Sequence, residues 1–402
     1  MEALITNFNH GNGPYIKTIT LCIAVNEELK KRGHSPLPII VPHIYGDLQK
    51  KILSEEFADI LKDNPEALLL DDFSGELLES LLFKTGHYQR NLELLLENQP
   101  KQEVRLRDYL QGTLTVKTLS GKEIKIPGEG IQFEIANNPK FATGYRKSFM
   151  TTEGFFSQVL YETAEESALG FDPKVLQEVR YKIANKIEED KSLHLMSEPS
   201  IFSYNISRKR WRNEIFTPPF THLPEKNSED VEEGMYVMIS GIAGLRPLFD
   251  QARDFGMKLY CPSSVKDLNG ADNTRHPSFV TNPNIRYQFA RTGWSTVWWS
   301  HMSETPLITL PYQHGDDPEI FFNEKTVTRL GIATLYDPGK DNPKEVLERA
   351  DLLSPHIKGV NERLLSVYGT IDGINYMAKV IADSLEGKSL DSYKLVEPAF
   401  NE

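Results

Sequence analysis

The stretch IRYQFARTGWSTVWWSHMSETPLITLPYQHGDDPEIFFNEKTVTRLGIA, residues 285–333, decides the fold. It opens on a β-like run, Ile285 to Ala290, turns at RTGWST, continues as a helix, and returns to a second short strand, Leu307 to Leu310. An acidic loop, HGDDPE, and another helix follow. Parallel strands need a crossover of this kind, which is right-handed in nearly all cases. Gly293 lets backbone approach a ligand, Ser295 and Thr296 offer hydroxyls, and the first amides of the helix lack intrahelical partners. Arg291 stands beside them. An arginine at a helix N-terminus is a phosphate site by electrostatics alone. One strand on, Asp316 and Asp317 suit the hydroxyls of a sugar, or a metal. A phosphate binder and a hydroxyl binder on one sheet edge are what a sugar nucleotide requires.

The same grammar extends outward. Before this stretch, MYVMIS (235–240) reads as a buried strand, GIAG (241–244) as a turn at another helix start, residues 245–255 as a short helix and MKLYCP (257–262) as the next strand. Ser240 and Gly241 there are expected to add amide contacts to a phosphate or to a second substrate. At the N-terminus, Ala3 to Phe8 is a short apolar run that stops at HGNGPY (10–15), with a helix-period pattern closed by Gly33 and the β-branched run LPIIVP (37–42) after it. Two such openings imply two α/β domains: an N-terminal one over 1–220, with an insertion around 101–145 that carries a β-hairpin, and a C-terminal one over 234–375. TPPFTHLPEKNSEDVEEG (217–234) has linker composition. A tail, 376–402, is expected to cross back to the first domain.

Composition agrees and excludes. At 402 residues and roughly 150 per domain the chain holds two domains or three. Lys and Arg number 45 against 57 Asp and Glu, a net charge of −12, so no basic face is offered to nucleic acid. No stretch approaches the ~20 apolar residues of a membrane span, and the N-terminus lacks a signal-peptide pattern. Cys22 and Cys261 are the only cysteines and form no metal-spaced cluster, which points to a cytoplasmic chain. The first turn fails as a dinucleotide fingerprint, because Gly11 and Gly13 are followed by Ile16 where a third glycine is needed. SRKRWRN (207–213) suggests either a solvated loop or a peripheral contact with the inner membrane face. The leucines of 77–96, and Trp298 and Trp299, read as core.

Residues 285–333 resemble the donor-binding signature of GT-B glycosyltransferases, closest to the UDP-glycosyltransferases and to the lipid-linked N-acetylglucosaminyltransferase of peptidoglycan synthesis. The match runs through Arg291, Gly293, Trp294, Thr296, Pro306, Pro311, Asp316 or Asp317, and Asn323-Glu324 at the start of the next helix. The first strand, turn and helix, ending in Arg32, Gly33 and His34, resemble that family's opening. The resemblance implies a GT-B-like α/β fold, two Rossmann-like domains facing a central cleft. It also implies a hexosyltransferase that moves sugar from a nucleotide sugar, a UDP-hexose, to a small-molecule or lipid hydroxyl, with inversion and with neither cofactor nor metal. Ser240, Gly241, Arg291, Gly293, Trp294, Ser295, Thr296, Asp316 and Asp317 then bind the donor, and Gly11, Asn12 and Gly13 form the acceptor-side loop. Three positions depart from the family: its ribose-binding glutamate falls on Trp299, the acidic loop is longer, and its catalytic histidine falls on Asn12 or Pro14. His10 is the nearest imidazole to serve as general base, with Asp71 to orient or replace it; the alternatives are a turn-capping histidine and a solvated turn at Asp71 and Asp72. The competing functions are a sugar-nucleotide epimerase or hydrolase, and a non-catalytic partner subunit that binds a nucleotide sugar or lipid.

Overall fold

A computed structural model describes residues 1–8, 12–81, 85–204, 208–223, 225–266 and 268–400. The chain divides into two compact units. The first comprises Met1–Ser197, Arg208–Phe220 and Ile374–Val396; the second comprises Glu198–Ser207, Thr221–Gly373 and Glu397–Glu402. The division therefore runs beyond one linker: a segment before residue 208 counts with the second unit, and the helix after Gly373 counts with the first.

The strands are β1 Ala3–Phe8, β2 Ile39–Pro42, β3 Leu68–Asp71, β4 Thr113–Thr118, β5 Glu123–Pro127, β6 Ile131–Asn137, β7 Ser148–Thr152, β8 Leu193–Ser197 and β9 Glu214–Thr217 in the first unit. They form one sheet in the order β5-β4-β3-β2-β1-β6-β7-β8-β9. The sheet is parallel from β3 to β9, while β4 and β5 add an antiparallel hairpin at one edge. β1, β2 and β3 are buried along their whole length, as strands covered on both faces must be. The helix Asn12–Lys31 crosses between β1 and β2, buries Tyr15, Ile19, Cys22 and Val25, and ends on Lys30, Lys31 and a left-handed Gly33. Cations in the last turn and glycine after it suit a helix C-terminus.

The stretch 101–145, expected as an insertion, is built differently. It begins inside the helix Tyr88–Gln111, supplies the β4–β5 hairpin, and then provides β6, which pairs directly with β1 at the middle of the sheet. Glu134 concealed that strand. A carboxylate interrupts the apolar run, yet it is fully buried with Lys191 Nζ at 2.7 Å and accepts from Ser148 Oγ, Thr143 Oγ1 and Asn7 Nδ2. Burial raises its pKa, and Lys191 with these hydroxyls more than reverses that, holding it below the ordinary carboxylate value. The leucines of 77–96 that the structure describes fall on the helices Asp72–Glu79 and Tyr88–Gln111, apart from Leu81 in the turn after the first; Leu77, Leu78, Leu81, Leu92 and Leu95 enter the core.

The second unit carries β10 Gly234–Val237, β11 Lys258–Tyr260, β12 Ile285–Phe289, β13 Leu307–Thr309 and β14 Ala333–Leu335, all parallel, in the order β11-β10-β12-β13-β14. In each sheet the order reverses once. Beyond β1 the chain goes to β2 on one side while β6 lies on the other, and β10 is likewise flanked by β11 and β12. Ligands of open α/β sheets bind outside the carboxyl ends of strands at such reversals.

Candidate functional site

In the second unit the reversal lies between β10 and β12, and the loops leaving those two strands contain four of the residues the sequence reading assigns to a donor. After β10, the amide of Met238 still donates to Phe289 O at 2.9 Å, and then the chain departs as a loop where the sequence suggested continued strand. Ser240 Oγ donates to Lys266 O, so its hydroxyl is engaged with the neighbouring loop. Gly241 is left-handed at φ 78° with open space where a Cβ would stand. After β12, Ala290 N donates to Ile308 O, and Arg291, Thr292 and Gly293 lead into the helix Trp294–Met302.

That helix starts without a side-chain cap. Gly293 O accepts from Thr296 N and Val297 N, which leaves the amides of Trp294 and Ser295 at the mouth of the turn. The turn is braced from behind by Asn323, fully buried on the helix Pro318–Arg329. Its Nδ2 donates to Thr292 O and its Oδ1 accepts from Trp294 Nε1, both at 2.7 Å. Asn323 therefore grips both sides of Gly293. The sequence reading put it at a helix start, but the helix begins at Pro318, with Asp317 as its cap; the role of brace had no signal in sequence because it depends on two side chains distant along the chain. Trp298 is buried with Nε1 on Pro199 O, and Trp299 Nε1 donates to Thr221 Oγ1.

Arg291 and Asp316, expected to hold phosphate and sugar separately, are paired: Arg291 Nη1 lies 3.1 Å from Asp316 Oδ2, with 43% and 28% of the two side chains exposed. Asp316 Oδ2 also accepts from Gln313 N. Asp317 is turned another way, its Oδ1 accepting from Glu319 N as the helix cap. Two further acids join them. Glu319 Oε1 lies 3.3 Å from Asn323 Nδ2. Glu324 is pushed up to about 7 by burial, a shift opposed by the Tyr312 backbone and reinforced by Asp316. A cavity of about 100 Å³ adjoins the helix start, lined by Met238, Pro277, Gln288, Ser295, Thr296 and Trp299.

In the first unit, His10 and Gly11 lie outside the described residues. Asn12 and Gly13 open the helix Asn12–Lys31. Asp71 ends β3, fully buried rather than in a solvated turn. Its Oδ1 accepts from Phe73 N, Ser74 N and Tyr109 Oη, and its Oδ2 from Ser74 Oγ at 2.5 Å, which makes it the N-cap of the helix Asp72–Glu79. Burial raises its pKa against those hydrogen bonds. Asp72 instead faces His43 Nδ1 at 2.6 Å and Lys117 Nζ at 2.9 Å. The basic run is largely spent within the unit: Arg208 pairs with Glu214 and lies over Phe155, and Trp211 stacks on His194. Among the described residues no group of three acids, histidines or cysteines is placed to hold a metal, and no helix is long and apolar enough to cross a membrane.

No family model and no curated protein matches this chain. Solved structures do, over nearly the whole length. The glycosyltransferase SnogD from Streptomyces nogalater superposes with a TM-score of 0.57 at 13% identity, over 96% of this chain and 99% of that one. A UDP-glucosyltransferase from Polygonum tinctorium, capable of glucosylating indoxyl and solved with 3,4-dichloroaniline, gives 0.58 at 10% identity over 96% and 99%. The glycosyltransferase VinC, solved with dTDP, gives 0.53 at 10% identity over 96% and 100%. The chain has the GT-B fold. In this GT-B protein the sheet order puts the Gly293 turn at the strand reversal of the second unit, while identities of 10–13% leave the chemistry to be argued from the residues present.

Proposed function

We propose that this protein is a glycosyltransferase that moves a hexose from a pyrimidine-nucleotide sugar to a hydroxyl acceptor. The observation that carries the reading is the uncapped helix start at Gly293, at the β10/β12 reversal, beside the half-exposed guanidinium of Arg291. The diphosphate accepts hydrogen bonds from the amides of Trp294 and Ser295, and Arg291 leaves Asp316 to pair with it. Arginine and helix amides together neutralise the leaving diphosphate, so the reaction runs without metal. Asp316, released by the same exchange, then accepts from sugar hydroxyls. UDP and dTDP are the nucleotides associated with the structural neighbours, which supports a uracil- or thymine-type donor. The first unit takes the acceptor, and His10 removes its proton as the hydroxyl attacks the anomeric carbon with inversion. The protein acts from the cytoplasm.

Calorimetric titration with UDP tests this directly. Arg291→Ala is expected to weaken UDP binding by about ten- to a hundredfold, the worth of a charge-assisted pair, with its melting temperature unchanged. Equal affinity in the variant would show that the phosphate is held elsewhere. His10→Ala is expected to abolish acceptor-dependent release of UDP from UDP-glucose while leaving UDP affinity intact.

A further inference from the structure

Gln288, in the second unit's reversal, is left unexplained by the donor reading. It lies on β12, next to β10 across the reversal, with its side chain only 1% exposed. Its Nε2 reaches the sulfur of Met238 at 3.2 Å, a weak acceptor, and its Oε1 has no hydrogen-bond partner among the described residues. Buried amide oxygens are normally satisfied, and one that is not calls for an explanation. Gln288 also lines the cavity of about 100 Å³. Met238, Pro277 and Trp299 give this cavity apolar walls, and the indole N–H of Trp299 is already committed to Thr221. Ser295 and Thr296 complete the lining, and they belong to the first turn of the helix that receives the diphosphate.

We infer that Gln288 determines which nucleobase the donor carries. Its Oε1 accepts from the imide N–H of a uracil- or thymine-type ring seated in this cavity, and its Nε2 exchanges the Met238 sulfur for an adjoining ring carbonyl. A primary amide presents an acceptor and a donor side by side, which matches the edge of such a ring in a bidentate pair. The inference rests on the nucleotide-sugar reading of the same reversal and adds to it the residue that reads the base.

Gln288→Met keeps the volume and removes the amide. Calorimetry with UDP, with UDP methylated at the imide nitrogen, and with inorganic pyrophosphate separates the outcomes. The variant is expected to bind UDP about tenfold more weakly and pyrophosphate as the wild type does. Its melting temperature should stay level or rise, since Oε1 contributes no bond to the fold. The methylated nucleotide should bind the wild type about tenfold more weakly than UDP, and the variant should not distinguish the two. Equal UDP affinity in wild type and Gln288→Met, or equal affinity of the wild type for UDP and its methylated form, overturns the role of Gln288 while leaving the donor reading in place. Wild-type protein that binds neither UDP nor pyrophosphate overturns both. Should the variant fail to fold, the methylated nucleotide on the wild type still decides.

Discussion

The two units are both open α/β sheets with a single strand-order reversal, and three acids of each make a contrast, although Glu198 of the second is buried like those of the first. In the first, Asp71, Glu134 and Glu188 are almost wholly withdrawn from water, and each is bound into the fold by neighbouring hydroxyls, amides or a lysine. In the second, Asp316, Asp317 and Glu319 stay partly exposed on the loop and first turn beside Arg291. A buried acid cannot be traded for a ligand without leaving its partners unpaired. A half-exposed ion pair exchanges partners at little cost, because water covers whichever group is released. The ability to take an anionic ligand therefore follows the exposure of the acids rather than their number.

The largest consequence concerns the Glu134–Lys191 pair, fully buried at 2.7 Å. Lys191→Met leaves a carboxylate in the sheet with no counter-charge and is expected to cost about 3–5 kcal/mol in urea unfolding. Glu134→Gln added to Lys191→Met should recover part of that loss, because the amide carries no ion to strand. If Lys191→Met alone unfolds at the wild-type urea concentration, the first unit's buried charges are not structural and the contrast between the units fails.

Glu188 gives the same contrast a pH axis. It accepts from Ser157 N and Ser157 Oγ, and burial pushes it up to about 7 despite those bonds. The unfolded chain titrates this group near 4.3. With the folded pKa raised, its contribution to stability is complete below that value and is lost as pH climbs through about 7. Glu188→Gln should therefore melt above the wild type at pH 8, with the gap closing by pH 4. A gap that is constant across this range would mean that Glu188 is ionised in the folded protein throughout.

This division also explains what could be read from the chain alone. β1, the crossover helix behind it, β12 and the Gly293 turn were legible because continuous apolar runs, helical periodicity and a glycine before a helix are local signals. β6 was hidden by Glu134, whose counter-ion sits 57 residues away. The last helical pattern, read as one element from 361 to 385, is broken at a left-handed Gly369 into Ser354–Tyr368 and Gly373–Leu385. At the candidate site, residue types were legible and pairings were not. Arg291 and Asp316 could each be assigned a ligand, but their mutual salt bridge depends on a loop whose path no local pattern specifies. Asn323, the brace of the turn, was legible only as part of a motif. Gln288 lay inside a strand and gave no sign.

The smallest effect bears most directly on how the site works. Asp316→Asn removes the carboxylate that Arg291 must leave before it can hold a diphosphate. Both groups are substantially exposed, so the pair is worth about 0–1 kcal/mol and stability should barely change. Returning that small energy to the ligand should tighten UDP by about two- to fivefold. UDP-hexose turnover should move the other way, because the carboxylate released by the exchange is the group proposed to accept from the sugar. The opposite sign for bare UDP and for the sugar nucleotide is what distinguishes a partner that is displaced from one that merely orders the arginine. If Asp316→Asn weakens UDP instead, Asp316 holds Arg291 in its binding pose, and the acids of the second unit are as much a part of the fixed scaffold as those of the first.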